Sequence, residues 1–128
     1  MDSASLLHTV DMDLDVMAVA QRFLGKDPRV RFVVAYAMGW LETNPDLSFD
    51  LTFADAIAGK YERFATVWDR LKPGGIYVID DMMPHGNWPD GHGERVARLL
   101  TCLKRRPDCM VVEVAWSTGL AIAAKSAL

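Results

Sequence analysis

Apolar and polar positions along the chain alternate between two periods. Leu6, Leu7, Thr9 and Val10 form a short apolar run that ends in acid at Asp11. Val16, Val19, Ala20, Phe23 and Leu24 recur at helical spacing, with Asp13 or Asp15 placed to cap that helix and Gly25 to stop it. Val30 to Ala35 predicts a strand, Ala37 to Glu42 a short helix, and Phe49 to Asp55 a second strand broken by Ala58-Gly59. Tyr61, Phe64, Trp68 and Leu71 form the next helical stripe, which Pro73-Gly74-Gly75 closes. Ile76 to Ile79 is a continuous apolar run of the kind buried on both faces of a sheet. A polar loop from Asp81 to Gly93 leads to the stripe Val96, Leu99, Leu100 and Leu103. Met110 to Ala115 and Leu120 to Ala124 flank the turn Trp116-Ser117-Thr118-Gly119, the pattern of an antiparallel hairpin. Strands alternating with helices and ending in a hairpin predict an α/β fold. Its sheet is mostly parallel, helices cover both faces, and one strand runs antiparallel.

The 128 residues are one domain's worth of chain, without repeat or linker. A net charge of −3 gives no reason to expect nucleic acid or an anionic membrane as partner. No apolar run approaches the roughly 20 residues of a membrane span, and the N-terminus has no signal-peptide pattern. A cytoplasmic location is the expectation. Cys102 and Cys109 lack metal-site spacing and read as buried free thiols, and His8, His85 and His92 form no zinc pattern with them.

In an open α/β sheet, ligands bind beyond the carboxyl ends of the strands. Asp11, Asp55 and the pair Asp80-Asp81 all fall there. Neighbouring strands lie about 4.8 Å apart, so Asp55 and Asp80 converge if their strands are adjacent. Clustered carboxylates need a cation, a hydroxyl-rich ligand or protonation to offset their repulsion, and oxygen ligands suit a hard ion. Asp also ends strands simply to cap the next helix or start a turn. Trp88, in the polar loop, either covers an aromatic acceptor or packs locally; Trp40, Trp68 and Trp116 read as core or sheet-edge residues. Ser117-Thr118 beside Trp116 lacks the Gly-x-Ser-x-Gly elbow of a nucleophile and reads as a turn.

Three segments carry a resemblance: Phe53-Ala54-Asp55-Ala56, Leu71-Lys72-Pro73-Gly74-Gly75-Ile76-Tyr77-Val78-Ile79-Asp80-Asp81, and Trp116-Ser117-Thr118-Gly119. Together the chain resembles class I S-adenosylmethionine-dependent methyltransferases, and within them the catechol and caffeoyl-CoA O-methyltransferase-like group. The resemblance runs from about Leu6 to Lys125 and implies a Rossmann-like sheet. The implied activity is methyl transfer from S-adenosylmethionine to a small-molecule hydroxyl, with Mg²⁺ as a second cofactor. It also implies that Asp11, Met12, Tyr36, Ala37, Asp55 and Ile57 contact the cofactor. Asp55, Asp80 and Asp81 would hold the metal, and Asp55 would serve catalysis, with Lys60 or His85 standing in for the family's general-base lysine.

The chain also departs from the family pattern. The glycine-rich loop after the family's first strand has no counterpart, nor has that strand. Tyr36 stands where an acid commonly meets the adenine amine, and the family's lysine falls at Ala58, two residues before Lys60. The first strand lies at the centre of the family's sheet, so its loss leaves two inward edges unpaired. Either the second strand moves across to the fourth, or another chain fills the gap, or the remainder is supplied elsewhere. The expectation is therefore a truncated methyltransferase-like domain, residues 1–128, that forms a homo-oligomer such as a dimer. Its alternative function is non-catalytic, namely self-association through exposed sheet edges.

Overall fold

A computed structural model describes residues 2–127. The chain divides into two compact units, Met1–Pro45 and Asp46–Leu128, where the sequence by itself offers no linker.

The first unit is a βαβα piece. Strand β1 (Leu7–Asp11) pairs in parallel with β2 (Val30–Val34), and helices α1 (Leu14–Leu24) and α2 (Ala37–Thr43) follow them. Asp13 caps α1 as anticipated, its carboxylate accepting from the N–H groups of Asp15 at 2.8 Å and Val16 at 3.1 Å. The apolar stripe of α1 does not do what its period suggests. Met17 is buried, whereas Val16, Val19, Phe23 and Leu24 are exposed. Helical period reports a face, and a neighbour must still be there to cover it.

The second unit is a four-stranded sheet of order β3-β4-β6-β5, with β3 at Phe49–Ala54, β4 at Leu71–Ile79, β5 at Cys109–Val114 and β6 at Leu120–Lys125. β3 and β4 run parallel, and β6 runs antiparallel to both of its neighbours, as the hairpin pattern predicts. Between the strands lie α3 (Ile57–Lys60), α4 (Phe64–Arg70) and α5 (His92–Arg105). The helical stripe ends one residue earlier than its spacing suggests. Leu71 already belongs to β4, paired with Phe49, and Gly74 at φ +80° turns the chain before Ile76 resumes the ladder.

Register sorts this sheet into two unlike faces. Thr52, Tyr77, Ala123 and Val111 lie in one row, and Ala54, Ile79, Ala121 and Glu113 in the next. On this face Tyr77, Ile79, Ala121 and Ala123 are buried, together with Val67 and Trp68 of α4 and Val96, Leu99 and Leu103 of α5. The opposite face carries the rows Leu51–Ile76–Ala124–Met110 and Phe53–Val78–Ile122–Val112, apolar throughout.

Trp68 centres the core. Its ring lies 5.6 Å from that of Phe64 and 6.3 Å from that of Tyr77, and its indole N–H donates to Asp108 Oδ2 at 2.9 Å. Hydrogen bonds from the Arg106 guanidinium and from Trp68 hold the Asp108 carboxyl at about 2, below its ordinary 3.8. A carboxyl depressed in the folded state stabilises it above the unfolded value and loses that contribution as the pH falls. Urea unfolding should therefore show stability lost between about pH 4 and pH 2, a loss that Asp108→Asn blunts.

Two sequence expectations are overturned here. Cys102 is exposed and Cys109 half-buried, because the inward positions of α5 are taken by Leu99 and Leu103. Trp116 is exposed at the tip of the β5–β6 turn, where no element covers it. Among the described residues β1 pairs with β2 in the first unit and β3 with β4 in the second. Among the described residues no helix is long and apolar enough to cross a membrane.

Candidate functional site

The sequence-selected residues sit at or just beyond strand ends in both units. In the first, Asp11 closes β1 and is exposed, its Oδ1 accepting the Asp13 N–H at 2.8 Å, with Met12 exposed beside it. Tyr36 precedes α2 and Ala37 opens it. The Ala35 N–H donates to the Asp11 carbonyl at 2.9 Å, which fixes the two strand ends together.

In the second unit, adjacency of β3 and β4 brings their terminal acids side by side. The Asp80 N–H donates to the Ala54 carbonyl at 3.1 Å, and Asp55 follows directly. Burial, with the neighbouring Asp80 charge, pushes the Asp55 carboxyl up from its ordinary value. Ile57 is exposed at the start of α3. Asp80 Oδ1 accepts from the Thr118 hydroxyl at 2.8 Å and from the Asp81 N–H at 2.7 Å. The 116–119 turn is thus a support for Asp80 and not a nucleophile turn.

Asp81 is the hub. It adopts a left-handed backbone at φ +59°, a conformation costing an ordinary residue roughly 1–2 kcal/mol. The buried Lys60 ammonium holds that turn in place by donating to the carbonyl oxygens of Asp80 at 2.6 Å and Asp81 at 3.2 Å. Burial draws the Lys60 ammonium pKa downward, against the three neighbouring carboxylates. Its proton is committed to those two carbonyls, so Lys60 positions the loop. Lys60→Met leaves both without their donor. Urea titration should show a loss of about 1–3 kcal/mol, with faster hydrogen exchange at Met82 and Met83.

The loop after β4 folds back onto the Asp81 carboxylate. Oδ1 lies 2.5 Å from His85 Nε2 and accepts the Trp88 indole N–H at 2.7 Å, while Oδ2 lies 3.2 Å from His92 Nε2. Burial raises the Asp81 carboxyl, but the Trp88 and His85 hydrogen bonds and the Lys60 charge outweigh it, and the net direction is downward. His92 Nε2 also sits 2.9 Å from Tyr61 Oη, whose pKa burial and the Asp81 charge push up to about 12, so this phenol stays protonated. Trp88 packs on His92 at 4.5 Å between ring centroids. Of the two uses open to Trp88 in the sequence, the local one is what the structure shows.

His85 has the arrangement of a general base. With Nε2–H donating to Asp81, Nδ1 carries the lone pair, and it meets only the Asn87 N–H, at a loose 3.3 Å. A carboxylate on one nitrogen favours the tautomer that carries the proton there. The His85 side chain is about one-third exposed. Sequence reasoning missed Tyr61 and His92 as partners. His92 could have been found only by knowing that the loop returns to Asp81.

The expected metal set is not assembled. Among the described residues no three His, Cys, Asp or Glu side chains gather as a metal-holding group. The oxygens of Asp81 face His85, Trp88 and His92, and Asp80 Oδ1 faces Thr118. The residues present do not fit a divalent ion.

No protein-family model matches the chain, and no curated protein matches it in sequence. Solved structures do match it. The O-methyltransferase TomG of Streptomyces achromogenes, involved in tomaymycin synthesis and solved with SAM, superposes at a TM-score of 0.81 with 22% identity over 98% of this chain and 64% of that one. An O-methyltransferase of Bacillus cereus in complex with SAH gives 0.81 and 16% over 98% and 65%. A Podospora anserina methyltransferase bound to SAH gives 0.76 and 20% over 98% and 62%. The chain thus spans a little under two thirds of the length of these structures. It shares the Rossmann-like α/β fold of these structures.

Proposed function

We propose that the chain is an S-adenosylmethionine-dependent methyltransferase acting on a hydroxyl of a small molecule. The observation that carries this reading is the Asp81–His85 pair at the carboxyl end of β4, on a His85 side chain about one-third exposed. A bound S-adenosylmethionine supplies an electrophilic methyl on a sulfonium sulfur. His85 Nδ1 takes the proton of the acceptor hydroxyl as its oxygen becomes nucleophilic. Asp81 stabilises the imidazolium that results, and Lys60 keeps Asp81 in place. No step passes through a metal ion.

Isothermal titration with S-adenosylmethionine, with and without Mg²⁺ and with a chelator, is the test. The expected result is micromolar binding that neither Mg²⁺ nor the chelator changes. Absence of binding at millimolar cofactor rejects the reading. The function left would then be the non-catalytic one, strand addition at the open edges of β1 and β3, detectable as slowed amide exchange along those edges.

A further inference from the structure

A cavity of about 470 Å³ lies between the α3–α4 segment and α5, lined wholly by residues of the second unit. Its volume falls in the range of small-molecule pockets, roughly 300–1,000 Å³. The buried side chains of Phe64 and Leu99 and the half-buried Tyr61 give it an apolar lining. The rest of the lining is mostly cationic. Arg95 and Arg98 both line it from α5, three residues apart and so neighbours on one side of the helix. Glu62 is the one carboxylate among the described lining residues. Arg98 pairs with Glu94 at 3.7 Å, an exposed contact that solvent screens. The Arg95 guanidinium makes no hydrogen bond or ion pair with another described residue. Like charges at this spacing repel one another, and an anion between them offsets the repulsion.

We propose that this cavity binds a small molecule carrying a carboxylate on an aromatic body, held by Arg95 and Arg98 beside Phe64, Leu99 and Tyr61. A carboxylate matches the fork of N–H donors that a guanidinium presents, and charge-assisted bonds of this kind are the strong ones. The ring takes the apolar lining out of water. Either half of such a ligand alone is a poorer fit. A bare inorganic anion leaves the apolar lining wet, and a neutral ring leaves both arginines without an anion. Lys60 also lines the cavity, but its protons are committed to the Asp80 and Asp81 carbonyls, so the arginines recognise the ligand. Neither arginine has a part in the proposed methyl transfer, so this site stands or falls separately from that reading.

Titration of the isotopically labelled full chain with benzoate, read by NMR at the arginine Nε–H and backbone amide signals, is the test. Saturable shifts are expected at Arg95 and Arg98 and at the amides of residues 61–64 and 95–99. Benzamide keeps the ring and loses the charge, and inorganic phosphate does the reverse. Each should bind at least about tenfold more weakly than benzoate. Arg95→Met and Arg98→Met keep much of the aliphatic stem without the guanidinium. Both positions are exposed, so the amide spectrum away from the cavity should be unchanged while benzoate affinity falls about tenfold. Absence of shifts at the solubility limit of benzoate overturns the proposal, as do shifts confined to residues outside the cavity. Benzamide or phosphate binding as tightly as benzoate, or benzoate affinity indifferent to both substitutions, overturns it too.

Discussion

On the proposed methyltransferase reading, methyl transfer by the His85→Ala variant is expected to fall by about 10²–10⁴-fold, the usual worth of a positioned general base. The loss should appear in kcat with little change in cofactor affinity, because His85 is assigned to the proton and not to the cofactor. Added imidazole should restore part of the rate to His85→Ala, a response that damage to folding would not give. Asp81→Asn should also lower kcat, through a different route. An amide at this position accepts poorly and carries no charge, so the tautomer is no longer fixed and the imidazolium is no longer stabilised. It also disturbs the contacts with Trp88 and His92, so its loop should exchange amide protons faster. Full activity in both variants would remove the dyad from the mechanism.

Trp68→Ala is expected to be the most damaging single change to stability. The ring is fully buried, with Phe64 and Tyr77 against it and the Arg106 guanidinium 5.1 Å from its centre. Lys125 Nζ donates to the Trp68 carbonyl at 2.9 Å, which ties α4 to β6. Removal leaves a cavity and deprives Asp108 of its indole donor, at a cost of about 3–5 kcal/mol. A domain of ordinary stability holds only about 5–15 kcal/mol, so the midpoint should drop by roughly 10–20 °C. Trp116→Ala, at an exposed turn, should leave the melting of dilute protein close to unchanged. Fluorescence-detected urea unfolding of the two variants side by side makes the comparison.

Local chemistry made much of this fold legible in the sequence. The strands at Leu7, Val30 and Phe49, the Asp13 cap, the Gly25 stop and the closing hairpin all follow from side-chain period and from residues with a short-range role. The acids at the carboxyl strand ends were legible for the same reason, and the adjacency of β3 and β4 then sets Asp55 beside Asp80. Period cannot tell which apolar face finds a partner. Val16, Val19 and Phe23 keep helical spacing without cover, and Met110, Val112 and Val114 alternate as if half-buried yet stand exposed. Nor can the sequence decide what a carboxylate meets. Asp81 reads as a metal ligand until the loop, turned at φ +59° and fastened by a lysine 21 residues earlier, brings two histidines and an indole N–H to its oxygens. Residue type and spacing determined the elements and the acids at their ends. Tertiary structure alone decided which groups those acids face, because partners distant in sequence meet only when the chain closes on itself.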